Sequence, residues 1–275
     1  MSTPRAHPLT DLELSRRLER TEGRANAAFV ESRARISPEA GATWRERDGT
    51  YAMFDGVGSP CTQTFGFGLF VPPAAEQLQA LEEFFESRGA AVVHEVSPLA
   101  DPAAIPLLVA RGYHPVELTS VMCQILPATP ATGPASTIEI GVSRIAADEI
   151  NMWAATAAAG WSDTADVEDF MRTFGVISAQ TEGTHAFLAD RDGVPIAAGA
   201  IHLSAGVALL AGASTIPAGR RPGAQAALLQ ARLRYAAVQG CDLAMMCAAP
   251  GSASQRNAER RGFRIAYTRI KWGRG

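Results

Sequence analysis

The chain has 275 residues, of which 47% are hydrophobic and 19% charged, and its formal net charge is -3. It is long enough for one large domain or two small ones, and the lack of a basic excess argues against a nucleic-acid-binding protein. With no run of about 18 apolar residues and no apolar signal-peptide core near the amino terminus, the sequence predicts a cytoplasmic protein without membrane-spanning helices.

The first part of the chain alternates helical and strand-like patterns. Residues 9–36 carry apolar residues at helical spacing. Residues 42–52 are typical of a hairpin that turns across Arg47-Asp48-Gly49. The elements predicted after it are a strand over 62–71, a helix over 75–87, a strand over 90–96, a helix over 102–111 and a strand over 114–126.

A linker is predicted at residues 127–136, where three prolines and a glycine occur without any large side chain. It separates a domain over residues 1–126 from a domain over residues 137–275. Arg111-Gly112-Tyr113 in the first domain matches Arg261-Gly262-Phe263 in the second. Both triplets stand between a predicted helix and a predicted strand, so the first domain is predicted to be a degenerate copy of the second.

The second part has a comparable succession of elements. Its two hairpin strands turn across Arg191-Asp192-Gly193, which is a good turn sequence. The predicted elements are strands over 137–142, 185–189, 195–203, 207–215, 241–247 and 264–272, and helices over 146–158, 167–177 and 226–238, with a loop, a short helix and a turn over 250–263.

The loop between the strand over 207–215 and the next helix is rich in features that suit a phosphate. Arg220 and Arg221 add positive charge, and Gly223 lets a ligand approach the backbone. The first turn of a helix has N–H groups without intrahelical partners and partial positive charge. The combination suits a pyrophosphate. The alternative is an ordinary strand–loop–helix connection with two solvated arginines.

The segment Arg220-Arg221-Pro222-Gly223-Ala224-Gln225 resembles the acetyl-CoA loop, Q/R-x-x-G-x-G/A, of the GCN5-related N-acetyltransferases, and departs from it at Gln225. The order of elements through Gly262-Phe263 extends the resemblance over about residues 137–275. It implies an α/β fold with a mixed, mostly antiparallel sheet flanked by helices, here in two tandem copies, and acetyl-CoA as cosubstrate. Residues 57–73 of the first copy lack the arginine pair and are not expected to hold it.

The resemblance also implies which residues meet the cosubstrate. A bulge near the end of the strand over 207–215 would present backbone groups to the pantetheine arm and the thioester. One N–H there could stabilise the negative charge that develops on the thioester oxygen. The implied cofactor-binding residues are Ala213, Ser214, Thr215, Arg220, Arg221, Gly223, Ala224, Gln225, Ala226 and Asn257.

The proton-transfer groups are less well defined, and no metal site is predicted. His202 could be the general base, or it could be a structural residue of its strand. Ala258 occupies the position of the tyrosine that usually protonates the leaving thiolate, so Tyr267 or Ser254 would have to replace it. Asp163, Glu168 and Asp169 are equally plausible bases on the acceptor side, with helix-end electrostatics as the alternative. Trp161 and Asp163 could also shape the acceptor site, with partly buried packing as the alternative for Trp161, and Ser252 is predicted to be a helix cap.

Two functions follow from these expectations. The first is an acetyl-CoA-dependent N-acetyltransferase that acts on a small-molecule or peptide amine, as a monomer or homodimer, without nucleic-acid or membrane partners. The second is a non-catalytic acyl-CoA-binding or regulatory module, suggested by the missing tyrosine and the lack of an evident base.

Overall fold

A computed structural model describes residues 7–127, 140–161, 168–220 and 223–274. The chain divides into two compact units, Met1–Ile125 with Met245–Gly275, and Leu126–Ala244. The second unit begins beside the predicted linker, most of which lies outside the described residues. Residues 245–275, predicted as part of the domain over 137–275, belong to the first unit in this division.

The helices and strands follow the predicted order closely. The helices are α1 (Leu12–Ile36), α2 (Ala75–Glu86), α3 (Ala104–Ala110), α4 (Ile150–Ala159), α5 (Glu168–Ala179), α6 (Ala224–Val238) and α7 (Ala253–Arg260). The strands are β1 (Thr43–Arg47), β2 (Thr50–Phe54), β3 (Gln63–Phe65), β4 (Val93–Val96), β5 (His114–Ile125), β6 (Gly141–Arg144), β7 (Thr184–Arg191), β8 (Val194–Ser204), β9 (Val207–Thr215), β10 (Leu243–Ala248) and β11 (Arg264–Gly273).

Each unit is built on a sheet whose neighbouring strands are mostly antiparallel. In the first unit the strand order is β1-β2-β3-β4-β11-β5, with β3 and β4 parallel. In the second unit the order is β9-β8-β7-β6, all antiparallel. The predicted fold class, a mixed and mostly antiparallel sheet with flanking helices, is confirmed. No described helix is both long and apolar enough to cross a membrane.

Turn chemistry accounts for the hairpins and for one wrong prediction. Asp48-Gly49 and Asp192-Gly193 have positive φ at both residues, as the tightest hairpin turns require. The strand predicted over 62–71 ends at Phe65, because Gly66 (φ +84°) begins a turn in which the Leu69 N–H donates to the Gly66 carbonyl. Alternating apolar residues there do not extend the ladder past a residue with left-handed backbone.

The repeated helix–turn–strand unit is present in both halves of the sequence. The glycine after each helix, Gly112 and Gly262, has φ of +83° and +97°. The next N–H closes the turn onto the helix: Tyr113 donates to Leu108 at 3.0 Å, and Phe263 donates to Ala258 at 3.1 Å. Both aromatic side chains are buried. The two triplets therefore have the same local role: each holds the first residues of a strand against the end of the preceding helix.

A network of buried charges lies in the first unit between α1, β4 and β11. The Arg269 guanidinium donates to Glu22 at 2.7 Å and to Glu95 at 2.9 Å, and it contacts Glu19 at 3.3 Å. The Tyr267 hydroxyl donates to Glu19 at 2.8 Å. Burial raises the pKa of Glu19 to about 7, an effect that Arg269 opposes and Glu22 reinforces. Three carboxylates thus share one guanidinium in a region closed to solvent.

We expect Glu19→Gln to reduce the pH dependence of stability. A carboxyl whose pKa is raised in the folded state binds more protons there than in the unfolded state, so its contribution to stability is lost as pH rises from about 4.5 towards 7. The glutamine variant should therefore gain stability relative to wild type between pH 5.5 and pH 8. Urea-unfolding midpoints at the two pH values measure this, and exposed Glu13→Gln on the same helix is the control. Equal pH slopes for the two variants would contradict the expectation.

Candidate cofactor-binding site

Strand β9 carries the bulge that the resemblance led us to expect near its end. It pairs with β8 continuously up to Ala211, which faces Ala200, and pairing resumes with Ser214 facing Ala198. Gly212 and Ala213 therefore both stand opposite Gly199. Gly212 has φ +59°, a conformation that glycine adopts without strain. Residues 211–213 are exposed after four buried residues, so the bulge presents backbone groups to solvent.

The residues after the bulge are held by neighbouring helices. The Ser214 hydroxyl, which is buried, donates to the Ala157 carbonyl on α4 at 2.8 Å. The Thr215 hydroxyl accepts a hydrogen bond of 2.6 Å from the Gln225 amide on α6. Side chains at the end of β9 thus serve to fix the strand. Gln225, the departure from the family pattern, folds back onto the strand, so its length need not block the start of α6.

The start of α6 has the open backbone that an anion requires. Gly223 has φ +92°, and a Cβ added there would meet no atom of the described residues within 4 Å. Among the described residues, no side chain caps the first turn, which begins at Ala224, two residues before the predicted start. Gly219, just before, is closely packed, since a Cβ there would lie 2.8 Å from the Ile196 Cβ. The predicted residue Arg221 lies outside the described residues.

Arg220 connects this loop to the end of α4. Its guanidinium Nη2 donates to the Gly160 carbonyl at 3.4 Å, and the side chain is exposed. Gly160 is itself packed against the end of β9: an added Cβ would lie 3.0 Å from the Thr215 nitrogen and closer still to the Ser214 side chain. The structure thus brings Ser214, Thr215, Arg220 and Gly160 together around the bulge.

We expect Gly160→Ala to disturb this arrangement. The φ of Gly160 is -68°, so alanine adds no backbone strain, and the cost comes from overpacking against Ser214, of the order of 1–3 kcal/mol. The midpoint temperature of thermal unfolding and the affinity for coenzyme A should both decrease. Adding Ser214→Gly, which removes the colliding side chain, should restore part of the affinity. No restoration in the double variant would show that the two residues are not in contact.

A buried arginine near the bulge was missed by the motif-based prediction. Arg232 lies on α6 in a buried stripe with Ala224, Leu228 and Ala236. The spacing of four residues is the signal that could have found it, because it places a charge on the apolar face of the helix.

The two residues predicted as catalytic, His202 and Tyr267, are both buried. His202 is buried on β8, and its Nδ1 lies 3.2 Å from the Thr184 hydroxyl, which agrees with the structural alternative. Tyr267 is buried in the first unit, where its hydroxyl is bonded to Glu19. That geometry gives no support to Tyr267 as the acid for a thiolate. Burial and the charge of Glu19 raise its pKa well above the ordinary value.

Four further residues singled out in the sequence, Ser252, Ser254, Asn257 and Ala258, lie in helix α7 or directly before it, in the first unit. Ser252 caps it by accepting the Gln255 N–H at 3.2 Å, so the predicted cap is confirmed. Asn257 is exposed and accepts a hydrogen bond from Arg260, and its contact with coenzyme A stays a prediction. Ala258, at the position of the usual tyrosine, is buried. Ser254 is exposed and has no assigned role.

The acceptor-side candidates surround the ends of α4 and α5. Trp161 is 46% exposed, which is compatible both with a place in the acceptor site and with partly buried packing. Glu168 forms an exposed pair with Arg172 at 3.1 Å in the first turn of α5, which it shares with Asp169. This arrangement agrees with a helix-end role for the two acids. Asp163 lies outside the described residues.

No protein-family model and no curated protein matches the chain, but solved structures do. A GCN5-related N-acetyltransferase from Kribbella flavida is 22% identical, with a TM-score of 0.60 over 92% of this chain and 95% of that chain. A tandem GNAT protein from the clavulanic acid biosynthesis pathway is 14% identical, with a TM-score of 0.56 over 95% and 94%. A GCN5-related N-acetyltransferase from Sphaerobacter thermophilus is 17% identical, with a TM-score of 0.55 over 85% and 75%. The chain therefore has the fold of the GCN5-related N-acetyltransferases, including its tandem form.

Proposed function

We propose that this chain, which has the GCN5-related N-acetyltransferase fold, transfers an acetyl group from acetyl-CoA to a primary amine of a small molecule or peptide. The observation that carries the proposal is the exposed bulge of β9 together with the start of α6 in the same unit, which no described side chain caps. Such a pair of backbone features can hold the two ends of a long, diphosphate-bearing thioester. The fit is supported by the open space at Gly223 and by the retracted Gln225 side chain.

The roles of the residues follow from their positions. The amides of Ala224, Gln225 and Ala226 would donate to the pyrophosphate, with Arg220 and Arg221 supplying charge. The backbone of Ala213, Ser214 and Thr215 would meet the pantetheine arm, since the two hydroxyls are engaged with α4 and α6. Asn257 remains a proposed contact of the same arm. Every described contact proposed for the diphosphate comes from the second unit.

Acetyl-CoA supplies an activated acyl group: the amine nitrogen bonds to the thioester carbon, the carbon–sulfur bond breaks, and the amine proton passes to the sulfur to give an amide and a free thiol. The protein must hold both reactants, accept charge on the carbonyl oxygen and admit a neutral amine. A lysine-type amine has a reference pKa of about 10.4, so at neutral pH most of it must first lose a proton. With His202 buried, water at the exposed ends of α4 and α5 is the proposed proton acceptor.

Calorimetry with coenzyme A, followed by thiol release from acetyl-CoA with a panel of amines, tests this function. Binding together with amine-dependent thiol release is the expected result. If no heat of binding appears, the proposed function is wrong. The panel should include small polyamines, aromatic amines and peptides with free amino termini, because the described acceptor side combines acidic residues with exposed Trp161.

A second function, an acyl-CoA-binding or regulatory module without catalysis, is favoured by one observation. Ala258 stands at the tyrosine position, and the two residues predicted as catalytic, Tyr267 and His202, are buried and hydrogen-bonded. Tight binding of acetyl-CoA with no thiol release on any amine would support this module over the enzyme.

A further inference from the structure

The buried arginine on α6 has a charge that no described carboxylate balances. Arg232 is 3% exposed, and burial alone lowers the pKa of its guanidinium to about 10. Burying an ion costs several kcal/mol unless a partner offsets it, and an apolar side chain of similar size would fill the same space more cheaply. Its presence on the apolar face of α6 therefore calls for a role that a hydrocarbon could not perform.

The partners of this guanidinium are backbone carbonyls on both sides of the bulge. Nη1 donates to the Ala200 carbonyl on β8 at 2.9 Å and to the Ala211 carbonyl on β9 at 3.4 Å. Nε donates to the Leu228 carbonyl of its own helix at 3.3 Å. Ala200 and Ala211 form the last regular pair before the ladder is interrupted. The arginine thus occupies the place where the interruption begins.

The opposing strand is shaped to admit it. A Cβ added to Gly199, the residue that faces the two bulged residues, would lie 3.1 Å from the Cζ and Nη1 of Arg232. That separation is tighter than side chains normally tolerate, so the lack of a side chain at Gly199 creates the space for the guanidinium. Gly199, the bulge and Arg232 are complementary parts of one arrangement.

The peptide unit that joins Ala211 to Gly212 links this charge to the exposed side of the bulge. It is trans, so its C=O and N–H point in opposite directions. Because the Ala211 carbonyl is directed at the Arg232 guanidinium, the Gly212 N–H is directed away from that guanidinium. A cation at the carbonyl end fixes the peptide plane and makes the N–H a stronger donor, and the burial of this guanidinium limits the screening of its charge by solvent.

We propose that Arg232 is a positioning residue for acyl transfer, which orients and polarises the Ala211–Gly212 peptide so that the Gly212 N–H donates to the thioester oxygen of bound acetyl-CoA. This inference rests on the proposed function and adds a donor that the motif-based prediction did not name. Donors held rigidly at an oxygen that gains negative charge are among the strongest contributors to catalysis.

The carbonyl stretch of bound, carbonyl-¹³C-labelled acetyl-CoA tests the inference without any acceptor amine. In wild type we expect the band at lower frequency than in solution, because a hydrogen bond weakens the C=O bond. Arg232→Met should lose most of this displacement while coenzyme A affinity changes less than about threefold, and turnover should fall about 100-fold, the scale of losing one such donor. Arg232→Lys, which keeps the charge, should restore part of the displacement. Exposed Arg234→Met on the same helix is the matched control.

Gly199→Ala provides a second variant in case Arg232→Met does not fold. It keeps the arginine but displaces it by a few tenths of an ångström, so the band should move part of the way towards its solution frequency. If wild type binds acetyl-CoA with a displaced band and that band is unchanged in Arg232→Met or Gly199→Ala, the role of Arg232 is overturned and the proposed function stands. If wild type binds no coenzyme A, both fail. A merely structural role predicts lower stability with the band unchanged.

Discussion

Replacing Gly223 with aspartate is expected to lower the affinity for coenzyme A by about 100-fold. The residue stands at the start of α6, where the first N–H groups have no capping side chain among the described residues. A carboxylate placed there would repel a diphosphate; at about 4 Å and an effective dielectric constant near 20, each pair of unit charges interacts by about 4 kcal/mol, of which salt and solvent remove a part. Calorimetric titration with coenzyme A at two salt concentrations measures the loss.

Gly223→Asn is the matched control for this variant. The φ of +92° disfavours any side chain, but asparagine and aspartate have the same shape and both tolerate left-handed backbone better than other residues. The difference between the two variants therefore isolates the charge. We expect asparagine to weaken binding several-fold at most, and the difference to shrink as salt rises. Equal affinities for the two variants would show that the diphosphate does not bind at this loop.

Local sequence was sufficient for the elements that position the proposed site. Asp192-Gly193 between two apolar runs determined the β7–β8 hairpin, and the apolar run from Val207 determined β9. These signals depend on backbone preferences within a few residues, so they do not require contacts with distant parts of the chain. The position of the bulge came from the family resemblance rather than from spacing. The positive φ of Gly212 explains the position of the bulge once the structure is known.

The parts that sequence patterns did not reveal depend on contacts between distant residues. Strand β11 lies between β4 and β5 and pairs with residues more than 140 positions away along the chain. None of the three strands has a local sequence feature that predicts this pairing. Glu19 lies in a helix with many charged residues, and its burial is explained by Arg269 and Tyr267, which follow it by about 250 positions in the sequence. Arg232 is the corresponding case in the second unit, since a charge on an apolar helix stripe has meaning only once Gly199 is opposite it.

Arg269→Met is expected to destabilise the first unit by about 3–5 kcal/mol, because removing one partner of a buried ion pair leaves the others uncompensated. Here the carboxylates of Glu19, Glu22 and Glu95 would remain in the interior with one cation fewer. Lys271 contacts Glu95 at 3.2 Å, but it also pairs with Glu117 and cannot replace the guanidinium at the other two acids. The loss should appear as a lower midpoint of urea unfolding, with coenzyme A binding to the second unit as a separate readout.

The pH dependence identifies charge, rather than lost packing, as the cause. Without the guanidinium the carboxyl pKa values rise in the folded state, so the variant's deficit should shrink as pH falls towards 5 and the acids take up protons. Adding Glu19→Gln and Glu22→Gln should recover much of the stability at pH 8. Arg172→Met, which breaks the exposed pair with Glu168, is the control and should cost no more than about 0.5 kcal/mol. A deficit that is the same at pH 5 and pH 8, and that the two glutamines do not relieve, would mean that Arg269 stabilises this unit through packing alone.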